Sequence, residues 1–207
     1  GDFCADTSGY LGPLGSVMFT KPEPVLPSKE LTVVVNTGDD EEFYGLHVSP
    51  DLDTVMYTMA GVANPETGWG LADDTFNALK IIGQYGASTW FNLGDKDLAT
   101  HLVRTEMMRN GHTLSEVTDI LCAALGVKHK VAPMSDQRIR TIVETEEGDL
   151  SFQTYFVKRH CEPKVKGFRY EMARDAMPSP KFTLALEAKD LSGIIVCPSN
   201  PFLSIAP

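Results

Sequence analysis

Apolar residues follow two rhythms along this chain, short unbroken runs and wider helical spacings. Leu31 to Val35 is a β-branched run that predicts a strand buried on both faces. Leu52, Val55, Met56 and Met59 then recur at helical spacing, predicting a helix from Asp51 to Gly61. A second helix starts at Asp73-Asp74-Thr75, where acids favour the positive end of the dipole, with Phe76, Leu79, Ile82 and Tyr85 as its buried stripe. A third covers Leu98 to Asn110, and Thr113-Leu114-Ser115-Glu116 is a capping box opening a fourth over Val117 to Leu125. Lys128 to Ala132 reads as a strand. Arg138 to Val143 and Leu150 to Val157 flank an acidic tip as a hairpin, and Val165 to Tyr170 is a further strand. Pro180 to Ala188 reads as a helix and Gly193 to Cys197 as another buried strand. The order predicts an α/β fold in three layers, α/β/α, with a mainly parallel Rossmann-like sheet and a small β-rich insertion at about 138–170.

Composition narrows the class. A chain of 207 residues with 43% hydrophobic content can build one sizeable core, alone or as a large part of a larger one. No apolar run approaches membrane-spanning length and no charged-then-apolar signal opens the chain, so no membrane partner and a cytoplasmic location are expected. The net charge of −10 argues against non-specific nucleic-acid binding. Anionic ligands stay open, because a metal ion can reverse the local field. Cys4, Cys122, Cys161 and Cys197 form no CxxC pair and fit four reduced thiols; their spacing does not favour zinc.

The polar turns carry the candidate chemistry. The run Leu31–Val35 stops at Asn36-Thr37-Gly38-Asp39-Asp40, and Asp51 and Asp53 open the next helix. Ligands in open α/β sheets bind beyond the carboxyl ends of the strands, where four carboxylates suit a divalent cation and a phosphorylated ligand. Singly, each acid is as readily an Asx-turn or a helix start; their placement at both ends of one strand-loop-helix junction favours function. Trp69 could cover a planar ligand or plug the core edge. In Trp90–Asp97, Gly94 lets backbone approach a ligand, and Asp95-Lys96-Asp97 can bind a phosphate or its metal. His101 and Arg104 share a helix face, His101 serving as general base, phosphate donor or simply a hydrogen-bonded histidine. Pro198-Ser199-Asn200-Pro201 follows its strand as Asn36–Asp40 follows the first, so both turns are expected on one rim.

NTGDD, SPDLDTVMYTMAG, WGLADDTFNA and WFNLGDKDLATHLVRTEMMRNG, with PMSD and PSNP, together resemble the 2-phospho-L-lactate transferase family of coenzyme F-420 biosynthesis. The resemblance runs from about Val25 to Pro207. It implies transfer of a 2-phospholactyl, phosphoenolpyruvyl or related three-carbon phosphoacid group from a guanylylated diphosphate donor to the ribityl hydroxyl of a deazaflavin, releasing GMP with Mg²⁺ as cofactor. It implies metal ligands at Asp39, Asp51 and Asp53, and orienting or deprotonating roles for Asp95, Asp97 and His101. Substrate contacts fall on Asn36, Thr37, Gly38, Asp40, Trp69, Gly94, Arg104, Ser135, Asp136, Ser199 and Asn200. A homodimer is a further expectation. Residues 1–30 depart from the family: Gly12-Pro13-Leu14-Gly15-Ser16 stands in place of a GGxGxxK/R loop, Val17 replaces a basic residue, and Pro22 and Pro24 disfavour the helix. Residues 31–207 are then the transferase core, C-terminally truncated relative to the family. Alternatives are a non-catalytic nucleotide-sugar-binding regulator of the same fold and an inactive remnant.

Overall fold

The computed structural model describes Pro27 and residues 30–207; the 12–16 glycine loop and Cys4 lie outside the described residues. Strand β1 (Thr32–Val35) runs parallel to β4 (Lys130–Pro133), in register from Thr32 opposite Lys130 to Val35 opposite Pro133. A parallel pair needs a long crossover, here four helices: α1 (Pro50–Ala60), α2 (Asn77–Gln84), α3 (Asp95–Arg109) and α4 (Leu114–Ala124). Side chains alternate across a strand, so Val33, Val35 and Val131 share one face and pack there with Leu52, Met56, Tyr57, Leu114 and Cys122. Helix α5 (Pro180–Leu186) touches the same two strands but adds nothing to that cluster, so helices flank the sheet on both sides. The three-layer α/β reading holds.

Two antiparallel units complete the described chain. Strands β2 (Glu41–Phe43) and β3 (Leu46–Val48) form a hairpin that the sequence pattern does not announce. Its two-residue turn places Tyr44 and Gly45 both at positive φ, the twist a tight hairpin requires. Strands β5 (Arg140–Thr145), β6 (Gly148–Ser151) and β7 (Val165–Glu171) form a sheet in the order β6-β5-β7, over a second core of Val143, Phe152, Tyr155 and Leu203.

Several expectations change. Leu31 to Val34 are only half-buried, and Val35 alone in that run is fully buried. The hairpin's second arm ends at Ser151; Phe152 to Lys158 turn helical, which points Gln153 back towards β1. Only Leu79 of the expected α2 stripe is buried, with Phe76 and Tyr85 exposed, because this short helix contacts little beyond α3. Gly193 to Cys197 form no strand: Ile194, Ile195 and Val196 are exposed and irregular. An apolar run becomes a strand only beside a partner, and among the described residues none pairs with it. The thiols differ too: Cys122 and Cys197 are free, but Cys161 is disulfide-bonded, a pairing in space that sequence spacing does not reveal.

Candidate functional site

Beyond β1 the chain turns on Asn36, whose Oδ1 accepts from the Gly38 N–H at 2.9 Å. The Asn36 Nδ2 reaches Asp39 Oδ1 at 3.3 Å, Asp51 Oδ2 at 3.1 Å and the Leu203 carbonyl at 3.2 Å. One amide nitrogen thus stands between two carboxylates and ties them to the Leu203 carbonyl, in the helical Pro201–Ile205 segment that follows the 198–201 turn. Gln153 Nε2 bonds Asp39 from the other side, 3.2 Å from Oδ2. Burial, then the negative charges of Asp51 and Asp40, push the Asp39 carboxyl well up. Burial also raises Asp51, Asn36 opposing and Asp40 adding to the shift. Two carboxylates that resist ionising side by side form a site that a divalent cation would relieve.

Asp40 faces away from them. Its Oδ2 accepts from the Ser49 hydroxyl at 2.7 Å and lies 2.9 Å from His47 Nε2 on the β2–β3 hairpin. Burial raises its pKa against the opposing pull of His47, Ser49 and Arg104. It shapes the turn from beneath instead of facing a ligand.

Asp53, two residues beyond Asp51, is claimed by Arg104. The guanidinium grips both carboxylate oxygens, Nη1 at 3.0 Å from Oδ2 and Nη2 on Oδ1, with both side chains buried. Burial pulls the Arg104 pKa down, but the charge and hydrogen bonds of Asp53, with Asp40 and Tyr57 adding, together raise it. Ligand atoms of Asp53, Asp97 and His101 lie within 4.8 Å of one another, close enough for one cation. A cation there would sit against the guanidinium, so the structure favours Asp39 and Asp51 over Asp53 as metal ligands. Arg104, expected to contact substrate, instead neutralises Asp53.

The α2 and α3 starts hold each other. Asp74 caps α3, accepting from Lys96 N at 2.8 Å and Asp97 N at 3.1 Å. Asp95 caps α2, accepting from Thr75 Oγ1 at 2.6 Å, Asn77 N at 3.0 Å, Asn77 Nδ2 at 2.9 Å and Ala78 N at 2.8 Å. The Thr75 hydroxyl and Ala78 N–H bring the Asp95 carboxyl down to about 2. Its lone pairs are committed, so Asp95 is a cap and not the catalytic acid-base group expected. The α3 N-terminus already holds a carboxylate, which removes it as a phosphate site. Gly94 serves that contact: a Cβ there would lie 2.1 Å from Asp74 Oδ2.

A cleft of about 2060 Å³ joins the parts, lined among others by Asn36, Asp39, Asp51, Tyr57, Trp69, Asp97, Ser135 and Ser199. Half-exposed Trp69 stands at it, as do Phe91, Phe152 and Phe156. The remaining expected residues act locally. The Ser135 hydroxyl donates to the Met177 carbonyl, Asp136 accepts from Ser115 N near the α4 start, and Asn200 caps Phe202. Thr37 is buried in the turn, and Gly38 packs against Pro207 and Asn36. Sequence reasoning missed Tyr57, Gln153, His47 and Asp74, whose contacts in the site span 22 to 114 positions or, for His47 with Asp40, lie across a hairpin. Only Asp74, an acid before a helix, left a signal.

A family model described as 2-phospho-L-lactate transferase CofD matches residues 16–207. The 2-phospho-L-lactate transferase of Methanopyrus kandleri is 45% identical over 179 residues, covering 86% of this chain and 57% of that protein. The phosphoenolpyruvate transferase of Streptomyces griseus is 41% identical, covering 94% and 62%. The 2-phospho-L-lactate transferase of Methanosarcina mazei is 38% identical, covering 88% and 60%. The chain therefore spans about 57–62% of the length of these relatives. A solved structure of a UPF0052-family protein from Bacillus halodurans covers 82% of this chain and 50% of its own, with a TM-score of 0.49 at 18% identity.

Proposed function

Since the chain belongs to the 2-phospho-L-lactate transferase family, we propose that it moves a 2-phospholactyl or phosphoenolpyruvyl group from a guanylylated diphosphate donor to the terminal ribityl hydroxyl of a deazaflavin, in the cytoplasm. The hydroxyl oxygen bonds to the phosphorus bearing the organic acid, the diphosphate bond breaks, and GMP leaves with its oxygen. The observation that carries this reading is the Asp39–Asp51 pair at the strand-end rim, facing the same cleft as Asp97. The donor set fits Mg²⁺: two oxygen ligands whose ionisation the fold opposes. Asp39 and Asp51 would hold Mg²⁺, which would supply positive charge to offset that of a diphosphate. Asn36 and Gln153 hold the carboxylates in place for it. Half-exposed Trp69 offers a flat apolar face to a tricyclic ring, with Phe91 and Phe156 beside it on the cleft wall. Asp97 orients the hydroxyl and passes its proton to solvent; its depressed pKa keeps it from retaining that proton.

Incubation with either donor, the deazaflavin and Mg²⁺ is expected to give GMP in step with the phosphorylated deazaflavin, both followed by chromatography. Donor breakdown that proceeds equally without deazaflavin, or no GMP at all, would refute the transferase reading.

A further inference from the structure

Six side chains form one network between α1 and α3 at the cleft wall, and of its charged members Asp97 is the most exposed. Arg104 grips Asp53, and its Nη1 lies 3.3 Å from His101 Nδ1. A guanidinium can only donate, so Nδ1 is the acceptor and the imidazole proton sits on Nε2. The separation of 3.7 Å between Nδ1 and Asp53 Oδ2 agrees, being too long for a hydrogen bond. Nε2 faces Asp97 Oδ2 at 3.3 Å in an off-axis contact. The Tyr57 hydroxyl donates to Asp97 Oδ1 at 2.7 Å and lies 2.8 Å from Thr100 Oγ1. A phenol has one proton, so the Thr100 hydroxyl is the donor of that second pair. The Asp97 side chain is 14% exposed and that of His101 is 0% exposed; Tyr57 is buried as deeply as Arg104. Asp97 is thus the member open to a ligand, and the covered His101 is placed to act through it instead of as a direct general base.

On the transferase reading above, we propose that Tyr57 is a positioning residue which, with His101, fixes the Asp97 carboxylate as the acceptor for the attacking hydroxyl. Tyr57 holds Oδ1 by a hydrogen bond, His101 Nε2 stands beside Oδ2 at 3.3 Å, and each oxygen keeps a lone pair for the cleft. Fixing both oxygens sets the torsion of the carboxylate before ligand arrives, so the hydroxyl meets an acceptor already oriented. Tyr57 belongs to the same helix as Asp51, which ties the geometry of the hydroxyl acceptor to that of the cation pair.

The test compares wild type with Tyr57→Phe, which keeps the ring and its packing. Binding is read by fluorescence for the deazaflavin and for an analogue lacking only the terminal ribityl hydroxyl. Wild type is expected to prefer the hydroxylated ligand about tenfold, the effect of a hydrogen bond to a charged group. In Tyr57→Phe that preference shrinks, affinity for the deoxy analogue stays unchanged, and kcat falls about tenfold with the donor KM unmoved. Equal weakening of both ligands, or an unchanged preference, would mean that Tyr57 only packs the core. A second readout needs no ligand: titration of the ¹³C-labelled Asp97 carboxyl. The groups facing it are Tyr57 and Asp53 from α1, His101 and Arg104 from α3, and Asp74 through the Asp97 N–H. Losing the phenol is expected to move the Asp97 midpoint upward; an unmoved midpoint overturns the inference. Absence of GMP release by wild type would strike the transferase reading instead, leaving the carboxyl titration to decide the role of Tyr57.

Discussion

Asp39 is the residue at which stability and chemistry conflict. Burial, Asp51 and Asp40 raise its folded pKa above that of the unfolded chain. The folded state thus binds the proton more tightly, so this contribution is fully present below the ordinary carboxylate range and is lost as pH rises through the folded pKa. Above that range the preference for the protonated form works against folding. Asp39→Asn is expected to raise Tm at pH 7 by about 2–4 °C, the size of about 1 kcal/mol in a domain of this length. The gain should shrink at pH 4, and the stabilisation that Mg²⁺ gives wild type should vanish; thermal melts with and without the ion measure both. A variant that melts lower at pH 7 yet still responds to Mg²⁺ would remove Asp39 from the cation pair. Asp39 and Asp51 were legible because acids cluster at a strand end and a helix start. The diversion of Asp53 to Arg104 was not, since it depends on α1 and α3 crossing with those two side chains aligned.

At the scale of elements, the crossed caps of Asp74 and Asp95 make two helix starts one unit. Helix α4 shows what local sequence can announce: Thr113 and Glu116 form a reciprocal capping box within four residues. The α2–α3 pair uses the same chemistry across 17 to 23 positions, and a scan of neighbours reads its acids as catalytic. Gly94 is the sharp test, since its φ of −73° suits any residue and only space forbids a side chain. Gly94→Ala should cost about 1–3 kcal/mol, typical of a group forced into a filled site, as read by urea unfolding. Asp74→Asn should cost about 1 kcal/mol as a weakened cap. In the double variant Gly94→Ala with Asp74→Ala the glycine penalty should largely disappear, because the clashing carboxylate is gone. Additive losses would refute the close-approach explanation.

For the molecule as a whole, the α/β class, the strands at Leu31–Val35 and Lys128–Ala132, and the small β-rich insertion were legible from hydrophobic rhythm, but which strands pair was not. The run Gly193–Cys197 was misread because rhythm records what a segment can do when paired, and pairing is a property of the whole sheet. Ile194, Ile195 and Val196 are 66%, 77% and 66% exposed, and such a run invites intermolecular strand pairing. Ile195→Lys is expected to leave Tm within about 1 °C while lowering light scattering at high protein concentration; a marked drop in Tm would show that Ile195 is buried in solution.

The Asn36 amide has a further consequence, one of timing. It joins Asp39 and Asp51 to the Leu203 carbonyl, 167 positions away, while Gln153 reaches Asp39 across 114. Contacts of such separation close the largest loops and form late, whereas helices such as α3 form from local contacts. During refolding, recovery of Mg²⁺ affinity should therefore trail recovery of helical circular dichroism. The proposed cation pair would in this sense be a clock for the last stage of assembly, registering the moment when the two distant segments arrive at the rim.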